Sequence, residues 1–382
     1  MGFPFDALRR HPDVEGEGLV ASDAADRLIL DESAAARAGA GVGEVVVIGD
    51  AYGALALGAA YDGAHGVRVH QDALTGERAL ALGAAALGLG DRVSSLPLDA
   101  DLVRGARVVL MRLPRSLAAL RDAVGLIAAH AHPDVAVFAG GRIKHMSLAM
   151  NDVLGEFFAR VDVSHARQKS RVLVARQPHG GADPVPAAAR VDGVELWGLG
   201  GLELRAFGGA FAGARIDIGT RALLAALADA EAFPGGTASD QWIELACGTG
   251  VVAAWLALRH PDALVYASDQ SAAAVASARA TAEANGVAER MTVARDDALS
   301  SLPDASASFI ALNPPFHSGP ALTGRIAERL FADAARVLRP GGQLWCVWNS
   351  PLRYRPALER LVGPTRQLAR DPRFTVTVST RP

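Results

Sequence analysis

One plan of chain is written twice, and that repetition limits the fold more than any other feature. A β-branched run from Glu44 to Ile48 ends in Gly49-Asp50-Ala51-Tyr52-Gly53, and Trp242-Ile243-Glu244-Leu245 ends in Ala246-Cys247-Gly248-Thr249-Gly250. Each reads as strand, glycine turn, helix, the opening of a doubly wound α/β unit. Gly53 and Gly250 lie 197 positions apart, and so do Asp72 and Asp269. Pro114 matches Pro315 once a few residues are dropped from the first copy. A repeat of this size predicts two copies of one fold, and 382 residues suffice for two domains.

The first copy opens with about 40 residues that read as an N-terminal extension packed on the first domain, with a helix from Ser22 to Leu30 capped by Ser22. Strands follow at Val67–His70, Val108–Met111 and Val135–Phe138, with helices at Ala73–Leu87 and Leu117–Ala129. The stretch from Gln177 to Ala188 is rich in Pro and Gly and reads as an interdomain linker or surface loop. The expected domains are therefore 1–185 and 186–382. In the second copy the helices are Val252–Arg259, Ala272–Ala284 (stopped by Asn285-Gly286) and Gly324–Leu338. Its further strands are Val265–Ser268, Met291–Ala294, Phe309–Leu312 and Gln343–Trp348. The fold class is α/β, with two Rossmann-like domains in tandem.

Half the residues are apolar and 21% are charged, as in soluble globular proteins. The net charge of −3 gives no overall attraction to nucleic acid, so such a partner requires a local basic patch. Lys144 and Lys169 are the only lysines. Two cysteines, Cys247 and Cys346, make no disulfide framework and favour a reducing, cytoplasmic location. The first residues lack a charged head followed by an apolar core, and no apolar run is long enough for a membrane span. No metal is expected.

The chemistry concentrates in Asn313-Pro314-Pro315-Phe316-His317, directly after the apolar run Phe309-Ile310-Ala311-Leu312. Two prolines cannot continue a strand's ladder, so the chain turns there. The turn sets an amide, a stiff backbone and an aromatic ring at a strand's C-terminal end, where open α/β sheets bind ligands. Asn313 Oδ1 and the Pro314 carbonyl are acceptors for the two N–H bonds of a planar amino group, and Phe316 offers a stacking face. Upstream, Gly248 and Gly250 allow close backbone approach at a helix N-terminus. Asp269, nineteen positions after Gly250, suits ribose hydroxyls, and Asp297 suits an adenine amino group. The glycine loop alone also fits a dinucleotide fold, with Ala253 at the last position of the longer glycine motif. The first copy has Tyr52 in its loop and Arg112-Leu113-Pro114-Arg115 at the turn, so it is read as having kept the fold and lost the cofactor.

In this order and spacing, these motifs resemble class I S-adenosylmethionine-dependent methyltransferases acting on planar amino nitrogens. With Phe211-x4-Ile216-Asp217-Ile218-Gly219-Thr220-Arg221 and the degenerate first copy, nearly the whole chain resembles the ribosomal RNA guanine-N2 methyltransferases of the RsmC/RlmG group. Lys144-His145-Met146-Ser147 and Gln168-Lys169-Ser170-Arg171 look closer to the large-subunit (23S rRNA) type than to the 16S type. The resemblance implies two tandem class I methyltransferase domains, the first degenerate and used for RNA docking or support. It implies that Asp217 and Gly219 flank the cofactor pocket and that Gly248 and Gly250 line its methionine end. Asp269 would hold ribose and Asp297 adenine, while Asn313, Pro314 and Phe316 act on the base. Glu244 and Ala246 depart from the family's usual Asp and Gly. RNA contacts are expected from Arg353, Arg355 and Arg360, and from Arg167, Lys169 and Arg171 on one face of an extended segment. His317 is a candidate proton acceptor. A protein glutamine, adenine N6 or a small molecule are other acceptors for such a turn, and an RNA-binding assembly factor is the non-enzyme reading.

Overall fold

Short buried β-branched runs alternating with alanine- and leucine-rich helices build two seven-stranded sheets, one in Met1–Val185 and one in Pro186–Pro382. The computed structural model describes residues 2–192, 199–230, 241–315 and 320–382. In the first unit the strands are β1 (Val45–Ile48), β2 (Val67–His70), β3 (Val93–Ser95), β4 (Val108–Arg112), β5 (Ala136–Arg142), β6 (Phe158–Val163) and β7 (Ser170–Pro178). The helices are α1 (Ala24–Ala38), α2 (Ala54–Tyr61), α3 (Leu74–Leu87), α4 (Ala100–Val103), α5 (Leu117–His130) and α6 (Leu148–Gly155). The sheet order is β3-β2-β1-β4-β5-β7-β6. Strands β1 to β5 are parallel, and β7 runs antiparallel to both β5 and β6.

The second unit begins with an antiparallel pair, β8 (Ala187–Val191) and β9 (Leu202–Ala206). Then come α7 (Ile218–Ala228), β10 (Gln241–Leu245), α8 (Val251–Arg259), β11 (Leu264–Asp269), α9 (Ala272–Ala284), β12 (Met291–Arg295) and β13 (Ala307–Leu312). The chain closes with α10 (Pro320–Val337), β14 (Leu338–Asn349), α11 (Arg355–Leu361), β15 (Thr365–Arg370) and β16 (Phe374–Thr380). The main sheet runs β12-β11-β10-β13-β14-β16-β15, the first sheet's order strand for strand. The central strands are buried on both faces: all four residues of β1 and all six of β13 are inaccessible, as parallel sheets covered by helices require.

The regular elements follow the sequence closely, with three corrections. Asp23, not Ser22, caps α1, because its carboxylate accepts from Ala25 N–H while Asp26 returns a bond to Asp23 N–H. As expected, α1 packs on the first domain, where it crosses β4, β5 and β7 much as α7 packs on β14 and β16. The stretch from Gln177 to Ala188 is shorter as a loop than expected, since β7 runs on to Pro178 and β8 starts at Ala187. Finally, Arg167, Lys169 and Arg171 do not share a straight strand. Gln168 and Lys169 take left-handed backbone angles, and Arg167 pairs with Ser170, so this is a tight hairpin turn.

Among the described residues, strand β9 has no strand beyond it on the side of α9. Side chains of that helix satisfy its backbone instead: Asn285 Oδ1, Thr281 Oγ1 and Ser277 Oγ accept from the N–H groups of Glu203, Arg205 and Phe207. Among the described residues, no helix is long and apolar enough to cross a membrane.

Candidate active site

Three strand ends define the crevice. Ser268 of β11 lies beside Leu245 of β10, and Leu245 lies beside Leu312 of β13. The winding direction reverses between β10 and β13, so the loops leaving them diverge.

The loop after β10 is shaped by left-handed residues, with φ of 58° at Ala246, 53° at Gly248 and 71° at Gly250. Gly250 caps α8 and has no room for a side chain, since a Cβ there would lie 2.8 Å from Ala278 Cβ and from Met291 Cε. Gly248 is the opposite case: a Cβ there would meet no protein atom within 4 Å. Its flank is open to a ligand. Gly248 N–H donates to Asp269 Oδ2 at 2.9 Å, and Ser271 N–H donates to Asp269 Oδ1 at 2.9 Å. A carboxylate is an acceptor of the kind that suits a pair of hydroxyls.

Glu244 sits beneath this loop, fully buried. It accepts from Val252 N–H at 3.4 Å and Ala253 N–H at 2.8 Å, tying the start of α8 to β10. Burial pushes its pKa up to about 8, against the opposing pull of those two N–H groups. Asp296 and Asp297 follow β12. Burial opposes ionisation of Asp296, but bonds from Ser300 and Ser301 prevail and hold its pKa below the usual value. Asp297 is buried and pairs with the Arg329 guanidinium, so part of its carboxylate is committed to α10.

Asn313 follows β13. Its Nδ2 donates to Thr220 Oγ1 at 3.0 Å and to Asp217 Oδ2 at 3.4 Å. Asp217 caps α7 through Gly219 N–H at 2.9 Å. Gly219 is confined, since a Cβ would lie 3.0 Å from the Phe374 ring. The two acceptors fix the amide's orientation, because a flipped amide would set oxygen against carboxylate. Asn313 Oδ1 is then left buried with no donor among the described residues. Buried acceptors without a donor are rare, and one at a ligand edge is an assignment waiting for an N–H. Pro314 is buried beside it, and no described residue donates to its carbonyl. Phe316 and His317 lie outside the described residues.

The first sheet fills the same edge from within. Asp50 accepts from Gly53, Leu55 and Ala56 N–H groups, doing for α2 what Glu244 does for α8. Gln71 Nε2 donates to the Asp50 and Ala51 carbonyls. Tyr52 turns to Asp13, with the Arg10 guanidinium over its ring. Arg112 stands where Asn313 stands, bound by Asp23 and Asp26 of α1. The acceptor edge has become an ion cluster.

Sequence reasoning missed Thr220, although Asp217 and Thr220 sit three apart at a helix start, a spacing that can put both side chains on one ligand. Of the arginines expected to meet RNA, Arg355 pairs with Glu359, Arg360 with Glu328 and Arg167 with Asp31. Arg353 is exposed and has no acidic partner among the described residues. No described cluster of His, Cys, Asp or Glu is arranged to hold a metal.

Comparison with known proteins agrees with this layout. Residues 4–179 match the RLMG N-terminal domain, and residues 201–378 match the Methyltransferase small domain. The ribosomal RNA large subunit methyltransferase G of Streptomyces avermitilis is 34% identical, covering 97% of this chain and 95% of that protein. The enzyme of the same name from Pseudomonas entomophila is 33% identical, with coverage of 97% and 96%. Among solved structures, a T. thermophilus 16S rRNA N2 methyltransferase in complex with AdoMet and guanosine superposes with a TM-score of 0.75. It covers 94% of this chain and 92% of its own at 22% identity, a likeness of fold.

Proposed function

This chain belongs to the ribosomal RNA large subunit methyltransferase G family, and from that membership we propose that it methylates the exocyclic N2 amine of a guanine in 23S ribosomal RNA, with S-adenosylmethionine as donor. The work is cytoplasmic on this reading. The observation that carries the choice of acceptor is the buried Asn313 Oδ1, held outward by Thr220 and Asp217.

The residues present fit the donor. Gly248 offers an open flank, Asp269 would take the ribose hydroxyls, and Asp297 the adenine edge. Glu244, Asp217 and Gly219 would support these groups by fixing the loop and the α7 start. When bound, the cofactor supplies a methyl group whose bond to sulfur breaks as the nitrogen–carbon bond forms, leaving the electron pair on sulfur.

Guanine N2 is a weak nucleophile because its lone pair is delocalised into the ring. Asn313 Oδ1 and the Pro314 carbonyl would accept its two hydrogens, turn the nitrogen to one direction and stabilise the positive charge that develops. N2 then loses one proton to water. The base must leave its stack to reach this edge, and Phe316 is the candidate to support the flipped ring.

The test is transfer of labelled methyl to separated, protein-free 23S and 16S RNA, beside an Asn313→Ala control. N2-methylguanosine in 23S RNA, lost in the variant, is the expected result. Label in 16S RNA alone would overturn the subunit assignment. Label on RNA that survives in Asn313→Ala would overturn the role of that amide.

A further inference from the structure

The loop that leaves β12 is held from two sides. Asp296 N–H donates to the Asp269 carbonyl at 3.0 Å, so the loop runs beside the residue assigned to ribose. Ser268 Oγ donates to the Ala298 carbonyl at 2.6 Å, and Ala298 takes a left-handed φ of 57°. The other side is held by α10. Arg329 of that helix bonds Asp297, and Asp333 Oδ2 accepts from Leu299 N–H at 2.7 Å. Arg336 donates to the Leu299 carbonyl at 2.8 Å and to the Leu302 carbonyl at 2.7 Å. Positions 329, 333 and 336 fall on one face of a helix, so α10 grips the loop at successive turns.

The two adjacent carboxylates of the loop are treated differently. Asp296 closes on its own loop. Its Oδ1 accepts from Asp297 N–H at 2.8 Å and Ser300 Oγ at 2.6 Å. Its Oδ2 accepts from Ser301 N–H at 2.8 Å and Ser301 Oγ at 2.7 Å. Asp297 instead meets a cation: Arg329 holds its Oδ2, with the carboxylate side chain 8% exposed and the arginine side chain 39% exposed. A buried carboxylate beside a counter-charge accepts hydrogen bonds and donates none. Without a counter-charge burial favours the neutral acid, which donates as well. For a purine that difference is decisive. Adenine presents an N–H at its 6-position, and hypoxanthine presents a carbonyl oxygen there.

We propose that Arg329 is a positioning residue that makes the cofactor site selective for adenine. By fixing one oxygen of Asp297 and keeping the group an acceptor, it lets the carboxylate take an exocyclic N–H and repel a 6-carbonyl. The inference rests on the assignment of Asp297 to the adenine edge under the proposed function. Arg329 touches no cofactor atom in this scheme and acts through Asp297.

Calorimetry on the full chain with S-adenosylhomocysteine and S-inosylhomocysteine tests it, since the two ligands differ along one purine edge only. The wild type is expected to favour the adenosyl ligand. Arg329→Met keeps the apolar stem and drops the charge. It should narrow the preference by roughly tenfold or more, the scale of a mismatched buried hydrogen bond. Arg329→Lys should recover most of the preference. Asp297→Asn should narrow it too, and adding Arg329→Met to Asp297→Asn should change it no further. Arg329→Gln is read in the same way should Arg329→Met fail to fold. A ratio unchanged by loss of the charge overturns the proposal, even if both affinities fall together, because a merely structural residue alters binding without altering choice. If Asp297→Asn removes the preference and Arg329→Met does not, Asp297 keeps its place at adenine and Arg329 loses its role. Equal binding of the two ligands by the wild type would overturn the adenine assignment and this inference with it. Binding of neither would sink the cofactor reading on which both stand.

Discussion

Asn313 Nδ2 donates to the Thr220 hydroxyl at 3.0 Å, and that bond helps decide which way the Asn313 carbonyl oxygen faces. Residues 93 positions apart in sequence thus meet, and on the proposed function Thr220 would position the amide that takes the base.

Thr220→Val keeps the shape and removes the oxygen. The expected effect is a fall in kcat of about tenfold to a hundredfold, the scale of a small misplacement of a reacting group. Cofactor affinity and unfolding midpoint should hold, and Thr220→Ser should recover most of the rate. A fall matched by a lower midpoint, with no rescue by serine, would make Thr220 merely structural.

Glu244 makes the second domain sensitive to pH. Its carboxyl is pushed up to about 8 when folded, above its ordinary value when unfolded. Between those values the unfolded chain has lost a proton that the folded chain keeps. The stabilisation is complete at low pH and is lost as pH rises, at up to about 1.4 kcal/mol per pH unit. Glu244→Gln should flatten this decline between roughly pH 5 and 8. Denaturant unfolding at several pH values checks it, and parallel curves for the two proteins would refute it.

Ala246 holds a left-handed φ of 58°, a conformation that glycine adopts freely and alanine does not. Ala246→Gly is expected to stabilise the second domain by roughly 0.5–1 kcal/mol, the left-handed strain relieved less the extra chain entropy of glycine. Thermal unfolding measures the shift, and an unchanged or lower midpoint would show that the loop relaxes around alanine.

Arg112 balances two carboxylates at once. Arg112→Asn should destabilise the first domain by about 3 kcal/mol, the low end for breaking a buried ion pair, since these groups keep some solvent contact. It should not create a second cofactor site. Calorimetry should give one S-adenosylmethionine per chain before and after, and two in either protein would overturn the view of the first crevice as filled.

Much of the fold was legible because its signals are local. The helix Ala272–Ala284 is bounded as expected, since alanine-rich sequence meets Asn285-Gly286 and Gly286 takes a left-handed φ. The central strands are short apolar runs that only a doubly covered sheet accommodates. The antiparallel ends of the sheets, β15 and β16 above all, went unread. Thr365–Arg370 and Phe374–Thr380 are rich in Thr and Arg, and β16 takes its place only by inserting between β14 and β15. The site divides the same way. Asn313-Pro314 announces itself, whereas Thr220 gains meaning only through a partner far along the chain. Arg355 and Arg360 look like RNA ligands until Glu359 and Glu328 are seen beside them.

The Arg112 cluster also gives the divergence of the two copies a direction. An asparagine returned to position 112 would face Asp23 and Asp26 without their counter-charge, while Tyr52 and Gln71 still filled the loop. Each reversal alone is worse than the present set, and only several together reopen the edge. The first domain's crevice is thus locked by several interdependent contacts, and no single substitution among Arg112, Tyr52 and Gln71 is expected to open it.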